Sequence, residues 1–238
     1  MADALAPEAA PGTAPDDARA PRGIAVRVAV VEDESLMRWM VRKIVEARPD
    51  MVLVHEAAGF AAGRDAVQPG TADVVVMDID LGDGNGVALA TLLQQRDPRL
   101  GVLLFSSHDV LDLVLAVRDT MRRPWSYLSK KSSLEPVTLA RAIHATARGE
   151  VVLDPELVNK AEARQGSALA ALTKGQMKVL RLAAEGYSNA YIAETLALSP
   201  RSVENHLHAI YKALDIPTEN ANPRVMAVLA FVQQSSRY

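Results

Sequence analysis

The sequence predicts an α/β unit, a doubly wound five-stranded parallel sheet, joined to a small all-α helix-turn-helix unit. Three observations predict it. Between Ala25 and Arg148, five short apolar runs alternate with amphipathic stretches of helical length. Each run ends at a polar or charged residue. Beyond Leu172, three short helical stretches are punctuated by Thr173, Gly186, Ser188 and Ser199-Pro200. The expected boundaries are a tail over residues 1–23, the α/β unit over 24–149, a linker over 150–168 and the helical unit over 169–238.

Residues 1–23 are rich in Ala and Pro with scattered charges, a composition that predicts disorder. The first strand covers 25–31 and is closed by Glu32-Asp33-Glu34. Ser35 is the expected cap of a helix that presents Leu36, Met40, Val41, Ile44 and Val45 on one face and stops near Pro49. A second strand covers 51–54. Gly59, Gly63 and Gly70 then leave room for only a short helix around 64–67. The third strand, Val74-Val75-Val76-Met77, is apolar on both faces, as a buried parallel strand must be. It stops at Asp78, and Gly82, Gly84 and Gly86 mark a tight exposed loop. A helix over 87–95 leads to a strand over 102–105 that ends at Ser106-Ser107. A helix over 109–121 leads to a strand over 125–128 that ends at Ser129-Lys130-Lys131. The last helix of the unit begins near Pro136, a good first-turn proline, and runs to about 148.

Composition narrows the function. Hydrophobic residues make up 49% and charged residues 23% of 238, so a packed core is expected rather than global disorder. The absence of cysteine excludes a disulfide scaffold and thiolate metal sites. The start of the chain lacks a basic-then-apolar leader and no apolar run reaches membrane-spanning length, so a soluble cytoplasmic protein with no membrane partner is expected. Net charge is −3, yet from Leu169 onward seven Lys and Arg face five Asp and Glu. That asymmetry has the sign expected if the helical unit meets a polyanion.

Parallel topology brings all strand ends to one edge. Glu32, Asp33, Asp78, Ser106 and Lys130 each follow a strand, so three carboxylates, a hydroxyl and an ammonium are expected to converge. Alone, Asp78 reads equally as a nucleophile, a metal ligand or a turn aspartate. Clustered carboxylates repel, and a divalent cation resolves the repulsion; oxygen-only ligands favour Mg²⁺. Lys130 would pair with a phosphate oxygen and Ser106 would donate to one. The expected chemistry is phosphoryl transfer to the Asp78 carboxylate.

The acidic pair, the Asp followed by Gly eight positions on, the later hydroxyl and the later Lys resemble the receiver domain of two-component response regulators. The resemblance covers about residues 24–149. It implies a partner sensor histidine kinase, Asp78 as phosphoryl acceptor, and Mg²⁺ among Glu32, Asp33, Asp78 and the Asp80 carbonyl. It implies Lys130, rather than Lys131, as phosphate partner, and Ser106 with Tyr127 as a switch pair. Gly82 stands where the family has proline, which predicts a looser loop, and Met121 to Ser126 is bulkier than usual. Two other readings are weaker. A calcium loop fails because its glycine position holds Asp83 and its closing Glu position holds Leu89. A haloacid-dehalogenase-like phosphatase shares Asp78-x-Asp80, but its acidic pair comes late in the chain, so no enzyme is expected.

In the helical unit, Thr173 and Gln176 fit a capping box, Ser188 caps the next helix, and Ser199-Pro200 opens a third that runs to about 214. A helix-turn-helix over 188–207 follows. On the third helix Val203, Leu207, Ile210 and Leu214 form an apolar side, and Arg201, Asn205, His208 and Lys212 a polar side suited to phosphates and base edges. The run from Leu172-Thr173 through Gly186-Tyr187-Ser188 to Lys212-Ala213-Leu214 resembles the LuxR-type DNA-binding domain, and the two domains together resemble the NarL/FixJ family. That resemblance implies double-stranded DNA as partner, with Ser202 and Glu204 beside the four polar residues as candidate contacts. It also implies a homodimer in the active state, formed in part by a last helix over 223–234; packing of that helix within its own domain is the alternative. The expected protein is a transcription factor whose receiver masks the reading surface or the dimer contact until Asp78 is phosphorylated. The alternative is the same layout working without phosphorylation.

Overall fold

The computed structural model describes residues 25–107, 123–217 and 222–236. The expected tail over 1–23 and helix over 109–121 lie outside the described residues. The α/β unit holds β1 (Val26–Val31), α1 (Ser35–Glu46), β2 (Met51–Ala57), α2 (Phe60–Ala66), β3 (Val74–Asp78), the short strands β4 (Asp80–Leu81) and β5 (Gly84–Asn85), α3 (Gly86–Arg96), β6 (Gly101–Ser106), β7 (Ser126–Ser129) and α4 (Pro136–Ala147).

Five of these strands form a parallel sheet in the order β2-β1-β3-β6-β7. Alternation sorts their side chains into two layers. Val28, Val30, Val74, Val76, Leu103 and Leu128 pack with Val41 and Val45 of α1 and Leu139 and Ile143 of α4. Ala29, Val31, Val75, Met77, Leu104 and Tyr127 pack with Leu89, Ala90 and Leu93 of α3 on the other face. Burial of both faces explains why β3 and β6 read as unbroken apolar runs. The chain winds one way from β1 to β2 and the other way from β3 to β6, so the crevice of this sheet lies at the ends of β1 and β3.

Several elements differ from expectation for tertiary reasons. Glu34, not Ser35, stands at the start of α1, and no side chain caps it. Helix α2 begins at Phe60, earlier than expected, because the Asp83 carboxylate accepts the Phe60 and Ala61 N–H groups from across the fold. The loop after Asp78 is not loose. It closes as the β4–β5 hairpin, with Asp80 paired to Asn85, and Asp83 pins it to α2.

The stretch 150–168 carries the expected short helix, α5 (Pro155–Lys160), and the short strand β8 (Glu162–Ala163). It is packed along much of its length. Val152 lies in the sheet-side core, whereas Val151, Leu153 and Val158 lie in the core of the helical unit. Tyr127 N–H of edge strand β7 donates to the Val152 carbonyl at 2.8 Å, and Leu153 N–H donates to the Ala184 carbonyl at 2.8 Å. This arm therefore covers a sheet edge and joins the two cores.

The helical unit comprises α6 (Lys174–Ala184), α7 (Asn189–Thr195), α8 (Pro200–Ala213) and α9 (Pro223–Gln234), with β9 (Ser235–Ser236) paired to β8. The expected caps are present: the Thr173–Gln176 capping box, Ser188 on Tyr191 N–H, and Ser199 on Ser202 N–H with Pro200 in the first turn. Helix α9 buries Val225, Ala227, Val228, Phe231 and Val232 inside its own domain.

Candidate functional site

The crevice gathers residues from four strand ends. Glu32 is 1% exposed and Asp78 3%, so two carboxylates lie almost wholly out of water. Lys130 Nζ stands 2.9 Å from Glu32 Oε1 and 2.9 Å from Asp78 Oδ2, and 3.8 Å from a Glu34 oxygen. Such an ammonium bridge keeps two buried like charges together. Burial pushes the Glu32 carboxyl up to about 7, against the pull of Lys130 and with the push of Asp78. Burial works against the Lys130 charge, but its bonds to Glu32 and Asp78 carry its pKa above the ordinary value. Lys131, by contrast, points outward to Glu156 at 2.5 Å.

One oxygen from each of Glu32, Asp33 and Asp78 lies within 4.8 Å of the others, close enough to ligate one metal ion. Glu32 Oε2 is buried with no hydrogen-bond partner among the described residues. An orphaned acceptor beside two more carboxylate oxygens fits a hard cation. Asp80, expected to ligate through its main-chain carbonyl, has an exposed side chain on β4 outside this carboxylate cluster, and its N–H lies 3.4 Å from Asp78 Oδ1. Ser106 and Tyr127 are both buried at the ends of β6 and β7, and Lys130 N–H donates to the Ser106 carbonyl at 2.8 Å. The bulk of Trp125 is absorbed by α3, where its Nε1–H donates to Gln94 at 2.9 Å.

On α8 the apolar side, Val203, Leu207 and Ile210, is buried, as the spacing requires. Arg201, Glu204, Asn205, His208 and Lys212 are exposed and Ser202 is half-buried, its hydroxyl 2.8 Å from that of Ser199. Among the described residues the α/β unit leaves these side chains exposed. It contacts the corner between α6 and α7 instead. Arg141 Nε donates to the Glu185 carbonyl at 3.0 Å, and its guanidinium lies 3.9 Å from the Tyr187 ring centre.

Comparison with known proteins agrees with this division. The family model described as the response regulator receiver domain matches residues 28–142, and that of the bacterial regulatory proteins of the luxR family matches residues 170–221. The chain belongs to the two-component response regulators. It is similar to the transcriptional regulatory protein DegU of Brevibacillus brevis, at 28% identity over 87% of this chain and 93% of that one. It is similar to the nitrate/nitrite response regulator NarP of Escherichia coli, at 27% identity over 90% and 98%. A solved LuxR-family response regulator from Aurantimonas sp. superposes with a TM-score of 0.51 at 27% identity, covering 57% of this chain and 94% of its own. The layout is that of the NarL/FixJ family of DNA-binding transcriptional regulators.

Three residues of this response regulator escaped the sequence reading although they shape the site. Arg38 of α1 donates to the Glu32 carbonyl at 2.6 Å and the Asp33 carbonyl at 3.1 Å, holding the acidic pair in place. Its position, one turn after the pair on an otherwise amphipathic helix, was the available signal. Asp83 anchors the loop after Asp78, and Asp154 reaches the Lys130 strand end from the arm. Neither carries a local signature, because both act across the fold.

Proposed function

We propose that Asp78 accepts a phosphoryl group from a phosphohistidine of a partner sensor kinase, and that this modification controls DNA binding by the α6–α8 domain. The observation that carries the reading is the placement of Lys130 between Asp78 and Glu32 beside the carboxylate cluster. An Asp78 carboxylate oxygen attacks phosphorus in line with the donor's P–N bond; the O–P bond forms, the P–N bond breaks, and the imidazole leaves with the electron pair. Glu32, Asp33 and Asp78 would hold Mg²⁺, with the Asp80 carbonyl as a further ligand, and the bound ion would supply positive charge to the phosphoryl oxygens. Lys130 leaves its carboxylate partners to pair with a phosphoryl oxygen, and Ser106 with Tyr127 responds as the switch pair. The acceptor is regenerated by hydrolysis, so the protein is a modified regulator rather than an enzyme with a turnover substrate.

Leu36 and Trp39 of α1 and Leu134 and Val137 at the start of α4 are large, apolar and exposed, and both helices spring from strand ends at the crevice. A helical phosphohistidine partner covering the mouth would bury this patch. The reading takes 24–149 as receiver, 169–238 as DNA-binding domain and 150–168 as the connection. It includes a homodimer in the active state and a cytoplasmic location, where chromosomal DNA lies. Among the described residues no helix is long and apolar enough to cross a membrane.

Acetyl phosphate with Mg²⁺ tests it. Intact mass gains one phosphoryl group in the wild type and none in Asp78→Asn, and the phosphorylated protein binds its operator with altered affinity. Labelling of Asp78→Asn would refute the acceptor. Labelling without any change in DNA affinity would leave a regulator that works independently of phosphorylation.

A further inference from the structure

Asp154 lies beyond the matched receiver segment, on the arm. It is 1% exposed. Oδ1 accepts the Glu156 N–H at 2.8 Å and so caps α5. Oδ2 accepts the Ser129 N–H at 2.8 Å. Ser129 is the last residue of β7, and the next residue carries the ammonium that bridges Asp78 and Glu32. Capping a helix needs one oxygen. The second oxygen is committed to the strand end.

The rest of the Ser129 environment makes this bond positional. Ser132 N–H donates to Ser129 Oγ at 3.0 Å, and the buried Ser133 hydroxyl donates to the Ser129 carbonyl at 2.8 Å. Those bonds come from the chain segment just after Lys130, while Lys130 N–H donates to the Ser106 carbonyl of β6 at 2.8 Å. Asp154 adds a tie from outside the α/β unit's sheet: Val152 sits in the sheet-side core and Leu153 bonds Ala184. A charge-assisted bond from a buried, short side chain is among the stronger hydrogen bonds and restricts the group it holds.

We propose that Asp154 is a positioning residue of the phosphorylation site, supplied by the arm, which aims Lys130 by holding the Ser129 N–H. The proposal rests on the reading of Asp78 as phosphoryl acceptor. It separates from mere helix capping because Asp154→Ser keeps a good capping oxygen for Glu156 N–H but cannot reach Ser129 as well. Asp154→Asn keeps one acceptor oxygen and turns an NH₂ donor toward one of the two N–H groups.

The experiment uses the full chain, acetyl phosphate and a Mg²⁺ titration, with the rate of Asp78 labelling followed by intact mass. Glu156→Ala, which removes the exposed partner of Lys131 and Lys160 and leaves both Asp154 bonds in place, is the control. Both Asp154 variants are expected to melt somewhat below the wild type and, assayed well below their melting temperatures, to lower the maximal labelling rate per folded molecule by about fivefold or more, the effect of losing one charge-assisted bond. The Mg²⁺ concentration giving half-maximal rate is expected to stay put, because the cation ligands are untouched. A purely structural role would lower the amount of folded protein without this split. If the wild type labels and both variants match its maximal rate, the proposal about Asp154 is overturned alone. If the wild type does not label at all, the reading of Asp78 falls and takes this proposal with it.

Discussion

Removing divalent metal should make the receiver's stability depend on pH through Glu32. Its carboxyl is 1% exposed and is pushed by burial from 4.5 up to about 7. A carboxyl with a raised native pKa holds its proton in the folded state and releases it on unfolding. Its contribution is therefore complete below about 4.5, is lost as pH climbs through 7, and is gone above. A rise of that size corresponds to about 3 kcal/mol. Lys130 stays charged across this window, since its own pKa is raised from 10.5, so it does not share the titration. Urea unfolding in EDTA from pH 5 to pH 8, followed by Trp39 and Trp125, reports on the receiver because both tryptophans lie there. Stability of the wild type should fall across the interval, and Glu32→Gln should remove most of the slope. Saturating Mg²⁺ at pH 8 should restore the loss, since it binds the ionised cluster. A wild-type slope that Glu32→Gln leaves unchanged would refute the assignment of the titration to Glu32 and, with it, the account of a charge-strained pocket.

Two further outcomes follow from the geometry. A Cβ on Gly86 would stand 1.8 Å from the Asp78 carbonyl oxygen, so Gly86→Ala should cost about 3 kcal/mol or more by overpacking and displace the acceptor; a urea midpoint equal to the wild type would contradict that close approach. On α8, Asn205→Ala should relax base preference, whereas Lys212→Ala should weaken binding to every sequence and reduce the salt slope by about one. Dissociation constants on operator and scrambled duplexes over a salt series check this, and equal losses from both variants on both duplexes would mean that the reading face is misassigned.

The parts legible in the sequence were those fixed by local patterning. The unbroken apolar run before Asp78 needed both faces buried, and β3 buries them. Thr173, Ser188 and Ser199 carry their helix partners within three residues, so their caps could be read directly. What escaped depends on groups far apart in the chain. Asp83 sets the start of α2 from 22 positions away, and Asp154 reaches Ser129 across 25. The arm looked like a linker because Val151, Val152 and Leu153 serve two different cores, a division that no single hydrophobic period encodes.

The contact between the domains constrains how phosphorylation can act. Arg201, Asn205 and His208 are exposed in this conformation, and among the described residues the receiver's contact lies elsewhere. The receiver instead grips the corner before α7. Arg141 lies over Tyr187, which stacks on Tyr191 with ring centres 4.2 Å apart, and Gly186 sits at φ 82° where a Cβ would meet Val152 at 2.6 Å. In a helix-turn-helix the first helix crosses the DNA backbone while the second enters the groove. The stack therefore sits at the start of the helix that must approach phosphate, and Arg141 brings a cation to its flank. If Asp78 is phosphorylated as proposed, two routes fit this conformation: a change at the Arg141–Tyr187 corner, or assembly of a second copy so that two α8 helices engage half-sites together. Arg141→Ala separates them. Loss of the phosphorylation response in a variant that still dimerises would favour the corner, and an unchanged response would favour assembly.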